Sequence, residues 1–345
     1  MFQYITLFVA IFIIFYNILK RINKNVLAPN WPIIGMLPSV LHNQSNIHDY
    51  ATLVLKHYGG TFHFKGPWFT NIANFILTSD PMNVHHITSK NFTNYGKGYD
   101  FHEIFEVFGL GISNLDFNER KQERALFHSL LKRNSFKIFL EQNIQKKLEN
   151  CLLPFLDHHA SKSEQILDLQ DILERFTFDI AFTSLFGFDS NCLPYNINEF
   201  EEIAYVKAIS VLEDMILMRH YIPNCIWKFQ KWLKIGQEKK GMVAQKNLYE
   251  FLNKCIAYYK GDEEKRRLRS NEDVDESNSC LLKELMKEGI LEKGEMVEKY
   301  IRDTAINLLL AGNGSVSSSL NWFFWLVSTH PIVEAKIILV YFLFD

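Results

Sequence analysis

The first nineteen residues constrain this chain more than any other stretch. Met1 to Leu19 carry no charged side chain, and Ile5 to Tyr16 (ITLFVAIFIIFY) is almost wholly apolar. At 1.5 Å rise per residue, nineteen residues make roughly 28 Å of helix, close to the ~30 Å hydrocarbon core of a bilayer. Lys20, Arg21 and Lys24 follow at once. A cleaved signal peptide places positive charge ahead of its apolar run and small residues at the end, and Asn17-Ile18-Leu19 is a poor match to that. The pattern predicts a single-span anchor at residues 1–19, with everything past Lys20 in the cytosol by the positive-inside tendency. Residues 20–38 read as a basic and proline-rich hinge. Pro29, Pro32 and Pro38, with Gly35 among them, deny the stretch helical hydrogen bonds and restrict each preceding residue.

Composition narrows the rest. The chain has 345 residues, of which 48% are hydrophobic and 22% charged, enough for a sizeable core and too apolar for a disordered chain. A net charge of −2 gives no electrostatic footprint for nucleic acid. Cys151, Cys192, Cys225, Cys255 and Cys280 are odd in number, far apart and never in a C-x-x-C pair, so neither a disulfide framework nor a structural zinc site follows. His85-His86 point about 100° apart on a candidate helix, and His158-His159, placed in a loop past Pro154, have no third ligand at a useful spacing. No metal site is expected on these residues.

Gly60–Trp68 and Asn74–Thr78 read as short strands of one small sheet. Beyond Pro81 the periodicity is helical, with candidate helices at Pro81–Ser89, Asn118–Leu131, Phe136–Leu153, Leu167–Phe186, Phe200–Met218, Ile226–Tyr259 (broken), Ser279–Lys287 and Gly294–Thr329. Gly261 to Ser279, densely charged in both signs, reads as a solvated loop. The Trp322–Trp325 run reads as core. One domain, residues 39–337, is expected.

Tyr300 to Trp325 (YIRDTAINLLLAGNGSVSSSLNWFFW) closely resembles the central helix of cytochrome P450 monooxygenases, most of all the plant members that hydroxylate fatty acids and wax alkanes. Three other stretches fit the same family in order: Pro29–Pro38 as its proline-rich hinge, Phe92–Gly98 (FTNYGKG) after a helix, and Asp168–Leu193 with its LFGFDSNCL ending. The resemblance implies a mainly α cytochrome P450 fold, here its N-terminal part only, with a small β-sheet near the start. It implies a heme held by a cysteine thiolate, a long-chain lipid substrate, O2, a NADPH-dependent reductase and a single-pass place in the endoplasmic reticulum membrane. Arg124 and His128, four apart on one helical face, would grip a heme propionate; Ala311, Gly312 and the stretch to Ser315 would line the oxygen pocket. The loop from Lys97 to Leu115 would shape the substrate channel.

The chain also departs from the family. Gly314 stands where an acid normally helps deliver protons, and Arg120 stands where a tryptophan is usual. Ser315 keeps a hydroxyl, either catalytic in proton delivery or back-bonded to the Ala311 carbonyl. The family's Glu-x-x-Arg pair and heme-binding cysteine loop lie well after the central helix, and neither occurs after that helix in this sequence; the last cysteine is Cys280. Residues 338–345 (ILVYFLFD) match nothing expected there. Two expectations stand: a heme-thiolate monooxygenase of lipid chains, or a catalytically dead truncated remnant, at most a membrane-anchored helical interaction protein.

Overall fold

A computed structural model describes residues 26–161, 166–193, 204–269, 280–287 and 295–344. The expected anchor at 1–19 and the start of the hinge lie outside them. The chain divides into two compact units, one running to Ile104 and resuming at Val211–Met242, the other comprising Phe105–Ser210 and Val243–Asp345.

The first unit holds α1 (Leu37–His42), α2 (Ile47–His57), β1 (Thr61–Lys65), β2 (Asn74–Thr78), α3 (Pro81–His85) and α4 (Tyr99–Ile104). β1 and β2 pair antiparallel, Thr61 opposite Thr78 and Lys65 opposite Asn74. Phe62 and Phe64 turn inward between exposed Thr61, His63 and Lys65, the period of two that a half-buried strand requires. They pack with Ala28, Met36 and Val54. The hinge docks on this sheet: the Met36 N–H donates to the Lys65 carbonyl at 2.6 Å. Gly35, at φ +57°, passes so close to the backbone of Lys65 and Gly66 that a Cβ would overlap it.

Helix α9 (Ala204–Tyr221) and helix α11 (Gly236–Arg269) contribute to both units, and α10 (Asn224–Leu233) belongs to the first. Lys234 at φ +54° and Gly236 at φ +62° break α10 from α11, where the sequence places a broken helix. Arg219 is 1% exposed. It donates to both Glu238 carboxylate oxygens at 2.8 and 2.7 Å and to the Glu103 and Ile104 carbonyls, and its guanidinium lies over the Trp227 ring. A buried cation is tolerated only with partners of this kind.

The described residues of the second unit hold α5 (Phe117–Leu131), α6 (Asn134–Lys147), α7 (Leu153–Ala160), α8 (Leu169–Phe186), α12 (Leu281–Lys287), α13 (Glu295–Thr329) and α14 (Pro331–Phe344). α8 starts at Asp168, whose carboxylate accepts from the Gln170 and Asp171 N–H groups, and stops at left-handed Gly187. Asp179 on α8 is fully buried. Its carboxylate accepts from the Cys192 and Leu193 N–H groups at 2.8 and 2.9 Å and from the Ser190 hydroxyl, and pairs with Lys147 at 2.9 Å. That is what fixes the LFGFDSNCL run. α13 packs along α8, and His330-Pro331 bends α14 away by 106°. Among the described residues no single helix is long and apolar enough to cross a membrane.

Four expectations need correction. Residues 37–57 form α1 and α2, with Pro38 in the first turn of α1, where its missing N–H costs nothing. His158 and His159 lie in α7, not a loop, because Pro154 sits in its first turn; buried His159 bonds the Phe155 carbonyl through Nδ1 at 2.9 Å. The charged segment from Gly261 continues α11 to Arg269, since Glu, Lys and Arg are good helix formers; residues 270–279 lie outside the described set. Trp322 and Trp325 are 61% and 56% exposed, so this aromatic run is not core here.

Candidate functional site

Ala311 and Gly312 lie in the middle of α13, and Ser315 lies one turn beyond Ala311. The three do not share one environment. Gly312 faces α8, where a Cβ would stand 3.1 Å from the Ala181 Cβ, so its lack of a side chain serves the close crossing of two helices. Ala311, Gly314 and Ser315 are exposed, and a Cβ at Gly314 would meet nothing within 4 Å. The Ser315 hydroxyl donates to the Ala311 carbonyl at 2.6 Å, the back-bonded alternative. A hydroxyl has one proton, so in this arrangement it offers none outward. On the far side Thr177 bonds the Asn313 amide oxygen at 2.7 Å, a second tie between α8 and α13.

Arg124 and His128 sit on α5, both exposed, one helical turn apart. Their neighbour Glu123 links α5 to α13: the Tyr300 hydroxyl donates to its carboxylate at 2.6 Å. Burial pushes the Glu123 carboxyl up from its ordinary value. Burial first, and then the bond to Glu123, pushes the Tyr300 phenol far above its own. Among the described residues no three His, Cys, Asp or Glu side chains converge to hold a metal ion.

Two residues not assigned a role from sequence organise this part of the unit. Asp303 and Asn307, one turn apart on α13, are 0% and 5% exposed. One Asp303 carboxylate oxygen accepts the Leu110 N–H at 3.0 Å; the other accepts Arg302 Nε and Nη2 at 3.1 and 2.8 Å. The Asn307 amide oxygen accepts the Ser113 N–H at 3.0 Å, while its NH2 donates to the carbonyls of Phe108 at 3.2 Å and Asp303 at 2.7 Å. A Cβ at Gly109, which has φ +55°, would overlap the Asp303 carboxylate, and one at Gly111 would overlap the Asn307 amide. The Tyr249 hydroxyl adds a bond to the Val107 carbonyl, under a guanidinium–ring stack with Arg302 at 3.8 Å. The available signal was polar residues four apart on an apolar helix, together with a G-x-G in a loop.

The cysteines differ in their surroundings. Cys151 and Cys280 are buried, and Cys151 packs among Leu152, Phe155, Ile172, Phe176 and Leu193. Burial pushes the Cys192 thiol up to about 12 and the Cys255 thiol up to about 11, so both keep their protons at neutral pH. Cys225 is exposed on α10, in the other unit. What the chain does supply is the exposed Arg124–His128 pair and the open turn at Ala311–Ser315.

The cytochrome P450 family model matches residues 27–338. The chain is 35% identical to alkane hydroxylase MAH1 of Arabidopsis thaliana over 334 residues, covering 97% of this chain and 66% of that protein. It is 32% identical to noroxomaritidine synthase 2 of Narcissus pseudonarcissus over 332 residues, covering 96% and 61%. The fold resembles the crystal structure of the cytochrome P450DA heme domain, with TM-score 0.62 at 15% identity over 90% of this chain and 61% of that one. The chain thus spans about two-thirds of the length of these relatives. Helical architecture, small sheet and central-helix sequence agree with the match over residues 27–338, and the chain belongs to the cytochrome P450 family.

Proposed function

We propose that this chain forms the N-terminal share of a membrane-anchored heme-thiolate monooxygenase that hydroxylates long lipid chains, fatty acids or alkanes. The observation that carries the reading is the 35% identity to an alkane hydroxylase along 97% of the chain. Heme, when bound, would supply the oxidising chemistry with O2 and electrons from a NADPH-dependent reductase, its thiolate coming from residues beyond this sequence. The chain's own residues would do the rest. Arg124 and His128 would pair with an anionic group of the cofactor, since both are cation-forming and open to solvent. The unobstructed turn at Gly314 would admit a small molecule against the helix. The apolar run at 1–19 would hold the protein in the endoplasmic reticulum membrane as a single span, with the folded part cytosolic.

A second reading, a catalytically inert interaction protein tethered to the membrane, is favoured by the exposed aromatic run Trp322, Phe323, Phe324 and Trp325. A carbon-monoxide difference spectrum of the protein purified from its native membrane separates the two. The monooxygenase reading expects the thiolate-heme band and hydroxylation of long-chain acids or alkanes. A heme-supplemented preparation without that band overturns it in favour of the second.

A further inference from the structure

The contacts of Asp303 and Asn307 have a property in common: those that reach the loop reach only its backbone. Leu110 and Ser113 give N–H groups, Phe108 gives a carbonyl, and Gly109 and Gly111 give the room that lets the helix side chains come so close. Every hydrogen-bonding atom of the Asn307 amide is used, so the grip has one geometry rather than several. Asn307 lies one helical turn, about 5.4 Å of rise, before Ala311. The loop is therefore pinned immediately beside the open stretch Ala311–Ser315, and Leu110 keeps 40% of its surface exposed at the pinned segment.

Resting on the lipid-chain reading above, we propose that Asp303 and Asn307 are positioning residues that set which chain lengths the site accepts. They hold the loop from Phe108 to Ser113 as a fixed wall of the chain-binding space. They touch no substrate. They fix where the wall stands, while Leu110 and Ile112 supply its apolar surface. A wall held by two buried side chains has one position, and a chain-length limit requires one.

The test uses the full chain in lipid nanodiscs, with hexadecanoic and hexacosanoic acid as probes and the ratio of their Kd values as readout. Asn307→Ala and Asp303→Ala should each change that ratio by roughly fivefold or more, the scale of one lost hydrogen bond. Asp303→Asn, which still offers an oxygen to the Leu110 N–H, should keep most of the wild-type ratio. Leu110→Ala reshapes the wall without touching the clamp, and its exposed position protects the fold; it should shift the ratio as well. Equal weakening of both acids in the clamp variants, or an unchanged ratio in Leu110→Ala, overturns the inference and leaves the clamp a purely structural device. Failure of the wild-type chain to bind either acid overturns the lipid-chain reading itself, a result distinct from a wild type that binds both while its variants keep its ratio.

Discussion

From Glu295 to Leu310 helix α13 carries Glu295, Glu298, Lys299, Tyr300, Arg302 and Asp303, whereas from Ala311 to Thr329 it carries no ionisable side chain. By composition the second half looks like the interior. The structure has it the other way round. Ile301, Asp303, Thr304, Ala305, Ile306 and Leu309 are buried, while Trp322, Phe323, Phe324 and Trp325 stand open. Glu298 and Lys299 stay exposed, and the polar groups that do go inside have specific partners: Asp303 has Arg302 and a backbone N–H, and Tyr300 has Glu123. Apolar side chains bury only where another surface comes to meet them, whereas a well-partnered polar group can go as deep as a leucine.

The strongest test of that contrast is Leu309→Ala. Leu309 is 0% exposed, so its truncation should cost about 2–5 kcal/mol in a urea melt of the full chain in micelles. A cost below 1 kcal/mol would place the buried half of α13 in loose packing.

The second test is alkaline. Tyr300 keeps its proton in the native state at pH values where the unfolded chain, with an ordinary tyrosine near 10.0, has lost it. Stability from this group is therefore intact below about pH 10 and drains away as pH rises beyond it. Urea melts between pH 8 and 11 should fall less steeply for Tyr300→Phe than for wild type. Coincident slopes would mean that the phenol is not buried against Glu123.

The smallest effect belongs to the open half. Trp325→Ser should shift the melt by no more than about 0.5 kcal/mol, as an exposed position allows, and should lower binding of a hydrophobic dye. A loss comparable to that of Leu309→Ala would abolish the distinction between the halves.

Much of the fold was legible in the sequence for local reasons. Alternation at Phe62 and Phe64 announced the sheet, and 3.6-residue periodicity gave α8 to within two residues and α13 to within one. Pro38 and Pro154 misled, because proline in a first turn opens a helix as readily as proline elsewhere closes one. The candidate site was legible only in part. Ser315 announced a hydroxyl at a family position, and its bond to Ala311 emerged as one of two readings. The clamp was hidden, because Asp303 and Asn307 bind backbone atoms nearly two hundred residues away, and a backbone leaves no signature in a side-chain alphabet.

The carboxylate of Asp179 and that of Asp303 also belong to different moments in the life of the chain. Ser190, Cys192 and Leu193 reach Asp179 across 11, 13 and 14 residues. Leu110 reaches Asp303 across 193. Closing a short loop costs less chain entropy and happens sooner than closing a long one. The turn after α8 can thus be set while the chain is still being synthesised, and the grip on Leu110 and Ser113 has to wait until α13 has left the ribosome. Protection of the Leu193 amide ahead of the Ser113 amide in pulse-labelled hydrogen exchange would record that order, and the reverse would refute it. The wall beside Ala311 is in this sense hung well after the turn that follows α8 is set.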